Sequence, residues 1–255
     1  MSKLSIFLIT MNEAHNIKRV LDSVSFADEI IIVDSGSTDD TLDIAKKYTD
    51  KIYSHTDWQG YGPQKKLAQS YCTHDWVFSI DADEEVSDEL EKEIQQVVAD
   101  NDQSKAFSVP RLPWCFGKFL RHGGWYPAEK VRLYPREKAH YGEQRVHESL
   151  TYLQALHVTR LKSDMFHYTY RDMEHYLVKS AHFAAEWATQ RQQQGRTSSL
   201  TKGVLHGVGC FVKIYLLHAG FLDGKQGLLI SLLSAHSTFV KYADLWSREQ
   251  QAGKS

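Results

Sequence analysis

The sequence predicts an α/β fold in which helices cover both faces of a mostly parallel β-sheet. Over roughly the first 100 residues, short apolar runs rich in β-branched residues alternate with segments whose apolar residues recur at helical spacing. The chain has 255 residues, enough to bury a sizeable core, and 42% of them are hydrophobic and 24% charged. These proportions are typical of a soluble globular protein and exclude a disordered chain, a collagen-like chain and a polytopic membrane protein.

The first predicted elements are a strand, a helix and a second strand. Leu4–Thr10 is a short apolar run with β-branched residues, which is typical of a buried strand, and apolar residues at helical spacing follow between Ile17 and Val24. Glu29–Asp34 predicts the second buried strand. It ends in Ser35–Asp39, a turn of glycine and short polar residues that can also cap the next helix.

The alternation of helices and strands continues up to residue 100. A helix over 42–48 and a weak strand over 51–54 are followed by another helix that ends near Cys72. Trp76–Ile80 predicts a further buried strand, and Ser87 then caps a helix whose first turn is acidic. Ligands of such sheets bind at the carboxyl ends of the strands, so we expect the polar residues that follow the strands to form the functional site.

The sequence pattern changes after residue 100. Residues 106–150 contain four of the five prolines together with several aromatic and basic residues, which predicts strands and long ordered loops. The stretches 173–194 and 200–248 predict helices. We therefore predict an α/β domain over residues 1–150 and a helical C-terminal region over residues 151–255.

Charge is distributed unevenly along the chain. Residues 1–100 contain 9 Lys and Arg against 20 Asp and Glu, a net charge of −11, whereas residues 101–255 contain 21 against 12, a net charge of +9. The basic part suits an anionic partner, such as a phosphorylated acceptor or lipid headgroups. We expect no nucleic-acid partner, because the basic residues are dispersed and no recognised binding motif accompanies them.

The sequence predicts a cytoplasmic location with contact to a membrane surface. The three cysteines are widely scattered, and the N-terminal apolar run has neither a basic leader nor a small-residue cleavage site. Gly203–Leu222 is mostly apolar but contains Lys213 and two histidines, so it is marginal as a membrane span. Together with Leu228–Leu233 it predicts either a surface that docks on the membrane interface or two core helices.

Two carboxylate features mark the expected site. Asp81 and Asp83 are two residues apart after a buried strand, and hard oxygen ligands of this kind suit Mg²⁺ or Mn²⁺. An Asp-x-Asp sequence is also common in solvated turns, but its place in the strand–helix alternation favours a site. Asp34 ends another strand and can accept hydrogen bonds from a nucleobase or ribose, or cap the next helix. The sequence has neither the P-loop motif nor the dinucleotide-binding glycine motif.

Three blocks of the sequence, in this order and at this spacing, resemble the family 2 glycosyltransferases, which have the GT-A fold. These blocks are Thr10–Glu13, Val33–Asp39 and Ser79–Glu84. Later blocks are similar to one branch of that family, the lipopolysaccharide inner-core β-1,4-glucosyltransferases, which transfer glucose from UDP-glucose to a heptose. The later blocks are residues 124–126, 129–134, 146–148 and 220–224.

The resemblance implies a site for a nucleotide sugar. Asp34 would face the uracil, Asp81 would approach the ribose or the metal, and Asp83 would bind the Mg²⁺ or Mn²⁺ ion that bridges the diphosphate. Lys65 would contact the phosphate or the donor, although Lys66 stands where relatives often carry Asn. The other residues predicted to bind the nucleotide sugar are Thr10, Asn12 and Glu13.

Transfer with inversion needs one base, which takes the proton of the acceptor hydroxyl, whereas UDP leaves without protonation. Glu148 is the predicted base and Glu129 the alternative, although Glu148 can also form an ion pair with Arg145 or His147. The residues predicted to contact the acceptor are Trp125, Tyr126, Arg132 and His147.

The sequence therefore predicts an inverting, metal-dependent glycosyltransferase. It would transfer a hexose, with glucose favoured, from a UDP-sugar to a heptose of the lipopolysaccharide inner core, at the cytoplasmic face of the inner membrane. Two alternatives stay open. One is the same fold acting on a polyprenyl phosphate or a peptide, and the other is a non-catalytic module that binds nucleotides or carbohydrates.

Overall fold

The computed structural model describes residues 2–144 and 149–252, which form two units. Unit 1 consists of the described residues of Met1–Arg111 and Ala128–His167. Unit 2 consists of those of Leu112–Pro127 and Tyr168–Ser255.

Strands and helices alternate along the first 100 residues, as the sequence predicts. In chain order the elements up to residue 119 are β1 (Leu4–Thr10), α1 (Ile17–Ser23), β2 (Glu29–Asp34), α2 (Thr41–Ala45), β3 (Ile52–Ser54), α3 (Tyr61–Ser70), β4 (Trp76–Ser79), β5 (Glu84–Val86), α4 (Asp88–Asp100), β6 (Lys105–Val109), β7 (Arg111–Cys115) and β8 (Lys118–Phe119). They are followed by β9 (Lys130–Pro135), β10 (Ala139–Tyr141), β11 (Leu150–Tyr152), β12 (His157–Arg160), β13 (Met165–Tyr170), α5 (Met173–Gln193), α6 (Leu200–Phe211) and α7 (Gly224–Ala252).

Seven of the described strands form the central sheet of unit 1, in the order β12-β6-β9-β4-β1-β2-β3. β1 pairs in parallel with β2 and β4, and β2 pairs in parallel with β3, whereas β9 is antiparallel to both of its neighbours. Every residue of β1 and β2 is buried, because elements pack on both faces of the sheet, and the two strands are therefore mostly apolar. The predicted α/β architecture with a mostly parallel sheet is confirmed.

Successive side chains of the central strands enter two different apolar clusters. Ile6 packs in the cluster that contains Leu21 of α1 and Ile94 of α4. Phe7, on the opposite face of the sheet, packs in the cluster that contains Ala68 of α3. Because side chains alternate between the faces of a strand, one buried strand supplies the core on both sides.

The directions of three neighbouring strands define the edge of the sheet where ligands are expected. Thr10 and Asp34, the last residues of β1 and β2, are register partners, and β4 runs in the same direction on the other side of β1. The loops that follow these three strands therefore leave the sheet at one edge.

The predicted cap of α4 is confirmed, since the Ser87 hydroxyl accepts a hydrogen bond from the Leu90 N–H at 3.2 Å.

The observed division of the chain differs from the one predicted at residue 150. β12 pairs in parallel with β6, and Met165–His167 of β13 pairs antiparallel with β5, so the chain up to His167 completes unit 1. Residues 112–127 belong to unit 2, where Cys115 and Leu120 share an apolar cluster with Ile230 of α7. The sequence pattern missed both features because each depends on pairing between distant segments.

The stretch 200–248, which is predicted to be helical, forms two helices, α6 and α7, with a reversal between them. The chain passes through a π-helical turn, Val212–Leu217, and a 3₁₀ turn, Gly220–Asp223. Ala219 and Gly224 have left-handed backbones, with φ of 55° and 68°. The reversal makes α6 and α7 a helical hairpin, in which Gly203 and Gly207 of α6 face α7.

Gly227 lies in the first turn of α7, directly against the 3₁₀ turn. A Cβ atom at this position would lie 1.9 Å from the carbonyl oxygen of Gly220. No side chain fits without movement of the backbone, so glycine is required for the close approach of the two turns.

We expect Gly227→Ala to lower the melting temperature measured by differential scanning calorimetry, because overpacking of this kind costs about 1–3 kcal/mol. Gly209→Ala is the matched control, since Gly209 lies in α6 and no described atom lies within 4 Å of the position of its added Cβ. That variant should melt at the same temperature or higher, because alanine favours a helix over glycine by up to about 1 kcal/mol. Equal melting temperatures for the two variants would contradict the close approach.

Candidate active site

Asp34 organises the turn that follows β2. Its carboxylate accepts hydrogen bonds from the backbone N–H groups of Gly36 and Ser37, both at 2.9 Å, and from the Ser37 hydroxyl. The side chain is buried and held in one orientation at the carboxyl edge of the sheet. A carboxylate has about four acceptor positions, so a further hydrogen bond from a ligand is compatible with the three bonds made here.

Asn12 and Glu13 connect the loop after β1 to the turn after β2. The Asn12 N–H donates to the Ser37 hydroxyl at 2.9 Å, and the Asn12 side-chain oxygen accepts from the Thr38 N–H at 2.8 Å. The Glu13 N–H donates to the Thr41 hydroxyl at 2.8 Å. Asn12 has a left-handed backbone, with φ of 56°, which Asn adopts more readily than most residues. The two loops therefore form one hydrogen-bonded wall at the predicted nucleotide pocket.

Thr10 lies at the end of β1 and is buried. Its backbone carbonyl accepts a hydrogen bond from the Ser35 N–H at 2.9 Å. Its hydroxyl is buried and has no hydrogen-bond partner in the part of the chain that the structure describes. A buried hydroxyl without a partner is unusual in a folded protein, and it marks a position where a ligand can supply the missing bond.

Asp81 lies between two buried cations. The Lys65 ammonium is 2.7 Å from one carboxylate oxygen of Asp81, and an Arg132 guanidinium nitrogen is 2.6 Å from the other. Both cationic side chains are only 2% exposed, whereas the Asp81 side chain is 28% exposed. Asp81 is therefore fixed from the protein side while part of its surface stays accessible.

Glu84 completes this cluster of charges. It accepts from Arg132 at 2.7 Å, from Arg111 at 3.1 Å and, through its other oxygen, from the Asp81 N–H at 2.8 Å. Three cations, Lys65, Arg111 and Arg132, thus surround two carboxylates. The arrangement leaves no buried carboxylate charge uncompensated.

The cluster determines the ionisation of Asp81. Burial would raise the pKa of this carboxyl, but the charges of Arg132 and Lys65 outweigh burial and hold the pKa well below the ordinary 3.8. The pKa of Arg132 shifts in the opposite direction: burial lowers it, but the charges of Asp81 and Glu84 raise it well above its ordinary value. Asp81 is therefore ionised at neutral pH and can accept hydrogen bonds from hydroxyl groups.

Arg132, which is predicted to contact the acceptor, lies in the charge cluster, and its predicted role stays a prediction. Its guanidinium is buried and paired with Asp81 and Glu84, and reaching an acceptor would leave both carboxylates without their main partner. Lys65, which is predicted to contact the donor, lies beside Asp81 and 5.3 Å from the centre of the Tyr141 ring. That prediction stays open.

Asp83 is paired with a histidine that sequence reasoning missed. Nε2 of His167 lies 3.3 Å from a carboxylate oxygen of Asp83, and both side chains are partly exposed. β13 pairs with β5 so that His167 is the register partner of Glu84, which brings the imidazole next to the loop that carries Asp83. No sequence interval marks His167 among the 13 histidines, because only strand pairing brings it to the site.

The side chains near Asp83 include two groups that can donate to a divalent ion. Both oxygens of Asp81 are held by cations, so the donors available there are the carboxylate of Asp83 and the imidazole of His167. Within residues 2–144 and 149–252, no group of three or more His, Cys, Asp or Glu residues could hold a metal ion. The pair fits an ion that takes its other ligands from substrate phosphates and water, as Mg²⁺ and Mn²⁺ commonly do.

The remaining predicted residues have no contact with Asp81 or Asp83 given by the structure, or they lie outside the described chain. Glu129 is exposed in unit 1, with Arg160 at 3.3 Å from one carboxylate oxygen. Trp125 and Tyr126 belong to unit 2, where Trp125 packs against the ring of Tyr170. The predicted base and one predicted acceptor residue, Glu148 and His147, lie outside the described residues. Their predicted roles stay untested.

A comparison with sequence families shows where this chain belongs. Residues 5–155, more than half of the chain, match the family described as glycosyl transferase family 2. The chain belongs to this family. The predicted family is confirmed, and with it the GT-A fold class expected for unit 1.

This family 2 chain is similar to other glycosyltransferases over almost its whole length. An uncharacterized glycosyltransferase of Rickettsia prowazekii is 32% identical over 256 residues, which cover 96% of this chain and 87% of the relative. The lipopolysaccharide core biosynthesis glycosyltransferase LpsC of Rhizobium meliloti is 27% identical over 250 residues, which cover 96% of this chain and 92% of LpsC. The crystal structure of S. aureus TarS overlaps 72% of this chain and 39% of its own, with 17% identity and a TM-score of 0.47.

We expect Arg132→Met to lower the free energy of unfolding of this glycosyltransferase by about 3–5 kcal/mol, because it removes one partner of a buried ion pair. Urea denaturation followed by circular dichroism measures the change. Adding Glu84→Gln to the Arg132→Met variant should restore part of the loss, since it removes a buried charge.

The matched control for this prediction is Lys46→Met, which removes a cation from an exposed ion pair with Asp43. Its unfolding midpoint should equal that of the wild type, because exposed pairs contribute little to stability. An Arg132→Met protein as stable as Lys46→Met would show that Asp81 and Glu84 do not depend on Arg132 for compensation of their buried charge.

Proposed function

We propose that this family 2 glycosyltransferase transfers a hexose, with glucose favoured, from a UDP-sugar to a heptose of the lipopolysaccharide inner core, with inversion at the anomeric carbon. One observation carries the proposal. Asp34 is the last residue of β2, and Asp81 and Asp83 follow β4, so three carboxylates stand at the ends of the two strands on either side of β1, at one edge of the sheet. Parallel sheets bind their ligands at this edge.

The side chains at this edge match the parts of a nucleoside diphosphate sugar. Asp34 has a free acceptor position for a nucleobase N–H group, and the buried Thr10 hydroxyl needs a hydrogen-bond partner. Asp81 is ionised and partly exposed, which suits acceptance of hydrogen bonds from the ribose hydroxyls. Asn12 and Glu13 hold the two loops that form the wall of this pocket.

Asp83 and His167 are the residues proposed to hold a divalent ion against the diphosphate. When bound, that ion would offset the negative charge that develops on UDP as the sugar–phosphate bond breaks. Lys65 lies beside Asp81, and its positive charge favours a diphosphate in the same region. Departure of UDP then requires no acid, and the protein has to supply one base for the acceptor hydroxyl.

The acceptor is proposed from the relative LpsC and from charge. LpsC is named for lipopolysaccharide core biosynthesis, and its similarity extends over 96% of this chain, well beyond residues 5–155. Residues 101–255 carry a net charge of +9, which suits a phosphorylated acceptor in an anionic membrane. Trp125 and Tyr126 are proposed to stack on acceptor sugar rings, and the enzyme is proposed to work as a peripheral protein at the cytoplasmic face of the inner membrane.

The test of the proposed reaction is a panel of UDP-sugars and other nucleotide sugars, each assayed for UDP release with a heptose-terminated inner-core oligosaccharide, with and without Mn²⁺. We expect release with UDP-glucose that depends on both the acceptor and the ion. Asp83→Ala should lower turnover at least about a hundredfold, the typical effect of removing a group that stabilises transition-state charge. It should also weaken Mn²⁺ binding measured by calorimetry in the presence of UDP.

Asp88→Ala is the matched control for Asp83→Ala, because it removes an exposed carboxylate from the first turn of α4. It should keep wild-type turnover and Mn²⁺ binding. Full activity in Asp83→Ala would refute the proposed ion site, and release that is independent of the acceptor would refute the proposed acceptor. Absence of release with every nucleotide sugar would favour a non-catalytic binding module.

The base is tested separately with Glu148→Gln and Glu129→Gln. We expect Glu148→Gln to lower kcat by about 10²–10⁴-fold, the usual contribution of a positioned general base, without changing the affinity for the UDP-sugar. Glu129→Gln should have a much smaller effect. The reverse result would make Glu129 the base. Full activity in both variants would favour a polyprenyl-phosphate acceptor, whose phosphate needs little help from a base.

A further inference from the structure

α6 presents its large apolar side chains outward and its glycines inward. Gly203 and Gly207 are buried against α7, and a Cβ atom on Gly207 would lie 3.1 Å from the Ala235 carbonyl oxygen. Val204, Leu205 and Val208 are exposed, Leu205 to 67%. A helix of a soluble core has the opposite arrangement, with large apolar residues inside. Small residues at the helix contact and large apolar residues outside are typical of helices that face lipid.

The exposed apolar surface continues past α6 into the turn of the hairpin. The largest exposure is that of Leu217, at 75%, and four further large apolar residues here are exposed: Val212, Leu216, Phe221 and Leu222. We call these five residues, together with Val204, Leu205 and Val208, the apolar face of the hairpin.

The apolar face coincides with a stretch of membrane-like composition. Leu200–Leu217 is long and apolar enough to cross a membrane, and it is the one such stretch among the described helices. Only 11% of it is buried in the protein, so it is not a core helix. At 1.5 Å per residue its 18 residues are about 27 Å long, slightly less than a bilayer core of about 30 Å, and Lys213 lies within it. A surface-lying hairpin fits these features better than a span.

Charge at the hairpin favours an anionic surface. From Arg196 to Lys225 the sequence has four basic residues and one acidic residue, Asp223. Lys202, Lys213 and Lys225 are exposed, whereas Asp223 is buried. Exposed lysines that flank an apolar face interact favourably with anionic headgroups while the apolar side chains enter the acyl region.

The hairpin is joined to the loop that carries two predicted acceptor residues. The Asp223 carboxylate accepts from the His122 N–H at 2.9 Å and lies 3.0 Å from Nδ1 of the same residue. The Gly123 N–H donates to the His218 carbonyl at 2.8 Å. Trp125 and Tyr126 follow directly in the chain. A membrane bound at the turn of the hairpin would therefore lie close to these two side chains.

We propose that the apolar face of the hairpin enters the headgroup and acyl boundary of an anionic bilayer and sets the loop of Trp125 and Tyr126 at the lipid surface. The proposal rests on the proposed function, because the proposed acceptor is embedded in a membrane and the residues that contact it have to lie near the lipid surface. Burial of the face removes its large apolar side chains from water, and the exposed lysines supply attraction to the headgroups.

The test is co-flotation of the full chain with vesicles of phosphatidylethanolamine and phosphatidylglycerol, compared with vesicles of phosphatidylcholine. We expect the wild type to float with the anionic vesicles and less with the neutral ones. Leu205→Glu and Leu217→Glu should each lower the partition coefficient by about tenfold or more, because a charge replaces an apolar side chain in the bilayer. Leu153→Glu is the matched control, since Leu153 is a 59% exposed leucine of unit 1, and it should float like the wild type.

Two assays separate failure of the docking surface from failure of the proposed function. Transfer to delipidated inner-core oligosaccharide in solution should be unchanged in Leu217→Glu, whereas transfer to the same acceptor embedded in vesicles should fall with the partition coefficient. Normal transfer without vesicle binding by the wild type would overturn the docking proposal alone, and normal binding without any transfer would overturn the proposed function alone.

A second copy of this chain could cover the apolar face instead of lipid, and light scattering in solution measures whether the chain forms such a dimer. We expect a monomer in the wild type and in Leu217→Glu. A wild-type dimer that Leu217→Glu converts to monomer, with no binding to vesicles, would assign the apolar face to self-association and overturn the proposal. Equal flotation of Leu217→Glu and the wild type would overturn it as well.

Discussion

The site of unit 1 depends on the buried ion pairs that Arg132 forms with Asp81 and Glu84. β9 is antiparallel to the strands beside it, and it carries Arg132 to the two carboxylates of Asp81 and Glu84. Taking such charges out of water costs several kcal/mol per ion, and their mutual attraction offsets that cost only where hydrogen bonding is complete. The cluster therefore contributes more to the position and ionisation of Asp81 than to net stability.

Because of these ion pairs, two neighbouring aspartates, Asp81 and Asp83, have different chemical surroundings. Asp81 has a cation on each oxygen, so its charge is already compensated and it is a poor ligand for a metal ion. Asp83, two residues later, lies 3.3 Å from Nε2 of the partly exposed His167, and its carboxylate is a hard oxygen donor of the kind that divalent ions prefer. An Asp-x-Asp sequence is thus two chemically different groups, and the neighbours that distinguish them come from β9, α3 and β13.

Local features of unit 1 could be predicted from the sequence, whereas the partners at the site could not. β1 and β2 are buried on both faces and so are mostly apolar, and Ser87 caps α4 through a hydrogen bond to a residue only three positions away. Arg132 lies 51 residues from Asp81, and His167 reaches the site through antiparallel pairing of β13. Nothing in the local pattern distinguishes these residues from solvated arginines and histidines, because strand order decides their neighbours.

In unit 2, too, the local sequence pattern does not determine the surroundings of a segment. Residues 200–222 are apolar on most sides of the helix, which is compatible with a buried core helix and with a helix against lipid. The glycines support the proposed contact with lipid: Gly203 and Gly207 pack closely against α7, and the valines and leucines of α6 are left outside. In water this arrangement leaves the large apolar side chains hydrated. At the surface of a bilayer the same arrangement would bury them in lipid and keep the close helix contact, so the direction in which the glycines face supports the proposed docking surface.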